Sequence, residues 1–96
     1  MIKHVVLFKF KPEADESECQ KALDDLRQLP EKIDSIRDFE VGEDVLGSKR
    51  SWDVSLISTF DDLEALQKYI NHDDHVAVAL RLQAFMQAVA VVDSEQ

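Results

Sequence analysis

Three histidines and one tyrosine are the residues of this chain suited to acid–base chemistry near neutral pH. His4 lies in an apolar run close to the start. Tyr69, His72 and His75 fall together in Tyr69-Ile70-Asn71-His72-Asp73-Asp74-His75. An imidazole titrates near ~6.5, so it can take an acidic proton from carbon and return it to oxygen. A phenol can donate a hydrogen bond to a carbonyl that becomes an enolate. Each residue also has a simpler reading. His4 can be a hydrogen-bonded core histidine, Tyr69 an amphipathic core side chain, and His72 a brace for a chain break. His75 opens a helix, where the positive end of the helix dipole disfavours an imidazolium and keeps a base neutral.

Other chemistries have less support. His72-x-x-His75 lacks an evident third ligand for zinc, and two histidines across a helix break hold no fixed geometry, so no metal and no cofactor are expected. The single cysteine, Cys19, sits on an apolar helical stripe with no basic cluster, and reads as a small core residue. Pairs such as Asp24-Asp25, Glu43-Asp44 and Asp61-Asp62 read as solvated faces and caps. There is no Gly-rich phosphate loop, nucleophile elbow or paired-cysteine motif.

The elements that must position the histidines can be read in order. Residues 2–11 alternate as a strand, with Ile2, His4, Val6, Phe8 and Phe10 on one face and Lys3, Val5, Leu7 and Lys9 on the other. Ser17-x-x-Gln20 resembles a capping box, and Cys19, Ala22, Leu23, Leu26 and Leu29 recur at helical spacing until Pro30 ends or kinks the helix. Residues 37–45 predict a second strand, with Phe39, Val41 and Val45 on one side. A polar turn over 47–51 leads to a third strand at 52–60, where Trp52, Val54, Leu56, Ser58 and Phe60 share a face. Asp61 or Asp62 can cap a short helix through Ile70. Asp73 or Asp74 can cap another, running to about Met86. A last strand covers residues 87–93. The order β-α-β-β-α-β predicts an α+β, ferredoxin-like fold, with helices on one face of an antiparallel sheet. The other face, carrying Val5, Leu7 and Ile57, predicts a homodimer in which two sheets meet and form a barrel.

Length and charge narrow the partners. The chain has 96 residues, enough for one domain over 1–96 with a thin core. Its formal net charge is −9, from 20 acidic and 11 basic residues, so it repels phosphates. Nucleic acid and anionic membrane are therefore not expected partners. No stretch approaches the ~20 apolar residues of a membrane span, and the opening residues lack a cleavage-site pattern. A cytoplasmic location is the resulting expectation.

Several marks together resemble a known family. They are Ile2-Lys3-His4-Val5-Val6-Leu7-Phe8-Lys9-Phe10, Phe39-Glu40-Val41-Gly42, Trp52-Asp53-Val54 leading to Thr59-Phe60, and Tyr69 with His72-x-x-His75. In this order, over roughly residues 2–93, the chain resembles the stress-responsive A/B barrel domain, or Dabb, a dimeric α+β barrel. The resemblance implies a homodimer with a pocket in each subunit between helices and sheet. Some plant members are polyketide cyclases, in which the positions matching Tyr69 and His75 perform acid–base catalysis. The position matching His4 lies in the same pocket. Here the implied catalytic pair is His75 as base and Tyr69 as donor. The implied ligand contacts are His4, Val6, Phe8, Leu23, Leu26, Leu56 and His72. The implied ligand is a small apolar carbonyl compound. Two departures stand out. Asp73 replaces the proline common between the paired histidines. Leu26 occupies the position of a first-helix tyrosine in the plant cyclases, and Ala22 and Leu23 stand where those have aromatics. These changes imply a differently shaped cavity and a different substrate. A non-catalytic ligand-binding or stress-associated homodimer, and a module whose function is the dimer itself, fit the same residues.

Overall fold

A computed structural model describes residues 1–96. The elements are β1 (Ile2–Phe10), α1 (Glu16–Arg27), α2 (Leu29–Lys32), β2 (Ile36–Glu43), β3 (Val54–Phe60), α3 (Leu63–Asn71), α4 (Asp73–Gln83) and β4 (Met86–Glu95). The four strands form one antiparallel sheet in the order β2-β3-β1-β4. This is the ferredoxin-like α+β arrangement. No helix is long and apolar enough to cross a membrane.

The period-2 pattern of the central strands fixes which face meets the helices. Along β1, Ile2, His4, Val6 and Phe8 are buried, and along β3, Val54, Leu56, Ser58 and Phe60 are buried. Register places Phe8 opposite Val54 and Val6 opposite Leu56, so these side chains share one face. Cys19, Ala22, Leu23 and Leu26 of α1 are buried over that face, joined by Leu29, Ile33, Leu66, Tyr69 and Leu82. The opposite face carries Val5, Leu7 and Ile57 and has no helix on it.

Several boundaries differ from the sequence expectations. The α1 cap is Asp15 rather than Ser17: its carboxylate accepts from the Glu18 N–H at 3.0 Å. A turn in which the Ala14 N–H reaches the Lys11 carbonyl starts the helix two residues early. Pro30 does not stop α1, which ends at Arg27. Pro30 instead sits in the first turn of α2, where its missing N–H leaves nothing unpaired. β2 ends at Glu43, so Val45 lies in the following loop and not beside Phe39 and Val41. β3 starts at Val54. Trp52 precedes it, with Lys9 Nζ 5.0 Å from its ring centre. The cap of α4 is His72, not Asp73 or Asp74: its Nδ1 accepts from the Asp74 N–H at 3.1 Å. α4 stops at Gln83 and Met86 already belongs to β4, because the Phe85 carbonyl pairs with the Lys11 N–H at 2.8 Å.

Candidate active site

The junction between α3 and α4 sets the geometry. A helix leaves its last carbonyls without intrahelical partners. At the end of α3, the Ile70 carbonyl is taken by His75 Nδ1 at 2.9 Å. A carbonyl only accepts, so His75 Nδ1 carries the proton and Nε2 of the neutral ring is left as an acceptor. Burial pushes the His75 pKa below the ordinary imidazole value. The neighbouring His4 and His72 push the same way, and the bond to Ile70 opposes them. His75 is therefore built as a neutral base.

Tyr69 lies one turn before the break. It is fully buried, and its ring centre is 4.4 Å from that of His75 and 6.0 Å from that of His4. Its hydroxyl is buried and has no hydrogen-bond partner. Burial raises its pKa well above the ordinary phenol value, so it stays protonated and is a donor with nothing to donate to. Buried polar groups are almost always paired, because an unsatisfied one costs about 1–3 kcal/mol. An orphan of this kind in a cavity wall is an opening for a ligand oxygen.

His4 completes the polar end. It is 7% exposed and its Nδ1 bonds the carboxylate of Asp93, its register partner on β4. A carboxylate only accepts, so the His4 proton is on Nδ1 and Nε2 is the free ring nitrogen. Asp93 was not among the residues singled out from sequence. Its pairing with His4 depends on the β1–β4 register, which a strand read in isolation does not give.

A cavity of about 280 Å³ joins these groups. His4, Tyr69 and His75 line it together with Val6, Phe8, Leu26 and Leu56. Leu23 and His72 are not in its wall: Leu23 is fully buried beneath α1, and His72 is turned to the start of α4 as its cap. The rest of the wall is Ile70, Ala79, Leu82, Gln83, Met86, Val89 and Val91. Sequence reasoning did not select these seven. Ala79 follows His75 by four residues, so helical spacing could have placed both on one face. No lysine or arginine lines the cavity. It offers an anionic group no counter-charge, and its apolar lining suits an uncharged ligand. No group of three or more histidine, cysteine or carboxylate side chains is arranged to hold a metal ion.

Comparison with known proteins agrees with this architecture. Residues 2–96 match the model of the stress responsive A/B barrel domain, Dabb. An uncharacterised Streptomyces coelicolor protein is 30% identical over 79 residues, 80% of this chain and 81% of the relative. Olivetolic acid cyclase of Cannabis sativa is 27% identical over 94 residues, 96% of this chain and 93% of the enzyme. Among solved structures, a dimeric ferredoxin-like protein of unknown function from Bacteroides fragilis superposes with a TM-score of 0.85 at 32% identity, covering 99% of this chain and 95% of that one. A hydroxynitrile lyase from Passiflora edulis, at 12% identity and a TM-score of 0.86 over 97% of this chain and 90% of that one, shares the fold. With the match spanning nearly every residue, the chain belongs to the stress responsive A/B barrel domain family.

Proposed function

We propose that this protein is a homodimeric, cofactor-independent acid–base catalyst acting on a small, uncharged, largely apolar carbonyl compound. The observation that carries the reading is the unpartnered Tyr69 hydroxyl beside the neutral His75 in an otherwise apolar cavity. A carbonyl oxygen placed at Tyr69 accepts its hydrogen bond. His75 Nε2 then removes a proton from the adjacent carbon. The electron pair of that C–H bond becomes the enolate, and Tyr69 stabilises the charge that develops on oxygen. The carbon either attacks a second carbonyl in the same molecule, whose oxygen takes the proton from His75, or recovers the proton itself. The whole-chain similarity to olivetolic acid cyclase supports this class of reaction, and the dimeric description of the Bacteroides fragilis neighbour supports the assembly. Leu26 in the cavity wall makes the substrate distinct, because leucine forms no hydrogen bond to a ligand oxygen.

Proton exchange at carbon tests the reading without knowledge of the natural product. Acetophenone and a series of alkyl methyl ketones are incubated with the protein in D2O and followed by NMR. At least one ketone should exchange its α-protons faster than in buffer, and His75→Ala should lower that rate by ~10²–10⁴. Equal rates in wild type and His75→Ala would refute the mechanism.

A further inference from the structure

The cavity is open on one side, and the residues at the opening form part of a larger uncovered strand. Val89 and Val91 line it on the helix side of β4 and are 54% and 51% exposed; Val92, on the opposite face, is 63% exposed. β4 pairs only with β1, so its outer edge is free along its length. A long apolar edge strand with both faces uncovered needs a partner.

A second uncovered apolar feature lies at the other edge of the sheet. In the loop after β2, Val45 is 100% exposed and Leu46 is 78% exposed. The two occupy the corners of a built turn. The Asp44 carboxylate accepts from the Gly47 N–H at 2.7 Å, and Gly47 has φ +69°, a backbone shape that favours glycine. The base of the loop is tied down as well. The Asp53 N–H donates to the Phe8 carbonyl at 3.1 Å, and its carboxylate accepts from the Phe10 N–H at 2.7 Å. Turn corners usually carry polar residues. A fixed loop that holds a valine and a leucine out in water is shaped to contact something apolar.

Topology brings the two features together in a dimer. β2 and β1 run in one direction, β3 and β4 in the other. When two such sheets meet through their helix-free faces about a two-fold axis parallel to the strands, strand direction is kept. β2 of one protomer then comes beside β4 of the other and antiparallel to it, and the free edges close into a barrel. Glu43, Val54, Phe8 and Val89 form one row across the sheet by register. The same row places the end of a partner's β2 level with Val89, and the loop that follows it at the Met86 end of β4. That is the apolar end of the cavity, remote from Asp93.

From this placement we infer that each protomer's Val45-Leu46 turn closes the mouth of its partner's cavity beside Met86 and Val89, so that the site is complete only in the dimer. The inference rests on the homodimer reading above.

Cross-linking tests it. In a Cys19→Ala background, Leu46→Cys and Val89→Cys are combined and oxidised with copper–phenanthroline, and oligomeric state is followed by light scattering. A disulfide-linked dimer in the double variant, absent from either single variant, is the expected result. A dimer that fails to cross-link would overturn the inference and leave the homodimer intact, whereas a monomer at micromolar concentration would overturn both. Efficient self-linking of Val89→Cys alone would place β4 against β4 and also overturn it. As an independent measure, Val45→Asp/Leu46→Asp should speed maleimide labelling of Val89→Cys in the dimer at least several-fold. Val45, Leu46 and Val89 are exposed in the protomer, and Cys19→Ala trims a single sulfur from the buried face of α1, so the variants should fold. An unchanged labelling rate would show that the turn covers nothing.

Discussion

The two halves of the helix layer are built to different standards. α1 presses Cys19, Ala22, Leu23 and Leu26 onto the helix-facing side of the sheet, each at most 5% exposed. α4 buries only Leu82, leaves Val76 and Leu80 exposed, and shares with β4 the wall of the cavity. Between them α4 is tied to α1 at the surface by Arg81, which pairs with Asp25 and Glu18. The α1 half is a filled core, with only Leu26 of its four buried side chains reaching the cavity wall. The α4 half encloses space, and its walls carry the three titratable side chains. A domain of this size has little core to spare. Filling the α1 half closely allows the other to stay open without unfolding.

The largest effect should come from the filled half. Leu23 is fully buried and outside the cavity, so Leu23→Ala should leave a void and cost about 2–5 kcal/mol. Leu80→Ala, on the exposed side of α4, should stay within ~0.5 kcal/mol. Urea unfolding of the two variants reads the contrast directly. Similar losses would show that α4 packs as tightly as α1, which would dissolve the distinction.

The same contrast explains what could be read from sequence. Period-2 burial in β1 and β3 and the α1 stripe are local patterns, and Val6, Phe8, Leu26 and Leu56 follow from them because a face that meets a helix also meets the cavity beside it. The second wall of the cavity is not local. Gln83, Met86, Val89 and Val91 come from the end of α4 and from β4, and their place depends on where α4 stops and which strand β4 joins. Asp93 depends on register for the same reason. His72 could be found near the site from its spacing, but its role as the α4 cap needed the φ/ψ break, since Asp73 and Asp74 are the better caps by composition. Leu23 looks like a wall residue by periodicity, yet it lies on the closed side of α1. The histidine and tyrosine types suggested chemistry. The missing partner of the Tyr69 hydroxyl, the feature that gives that chemistry direction, exists only in three dimensions.

Tyr69→Phe should separate function from stability within the open half. The ring keeps its contacts with Phe60, Phe39 and His75, and only the unpartnered hydroxyl is lost. Removing an unsatisfied buried donor should raise stability by about 1–3 kcal/mol. Ketone exchange should fall by ~10²–10³, the loss typical of one oxyanion donor. A variant that is both less stable and equally active would mean that the hydroxyl is satisfied by the fold and not by a ligand.

The smallest effect expected is in the pH dependence of stability, and it sharpens the assignment of His75. Its folded pKa lies below the ordinary imidazole value, mainly because of burial. In the unfolded chain the imidazole titrates near 6.5. Between those two values the unfolded state binds more protons than the folded one, so stability rises with pH. This contribution to stability is therefore full above about pH 6.5 and is lost as pH falls from there toward the lower folded value. The carboxylate Glu43, held low mainly by Gln20 and also by Arg27, loses its contribution only below its own ordinary value of 4.5, so its window opens at a lower pH than that of His75. His75→Gln should flatten the stability profile below about pH 6.5 and leave the loss below pH 4.5 in place, as measured by melting temperature across pH 2–8. The ring's position explains the sign. Its one fixed bond, from Nδ1 to the Ile70 carbonyl, survives in both protonation states, and the penalty falls on Nε2, where a second proton would bring charge into an apolar cavity. A profile unchanged by the substitution would mean that solvent reaches Nε2 freely. The same result would leave the ring without the dry surroundings that keep it neutral.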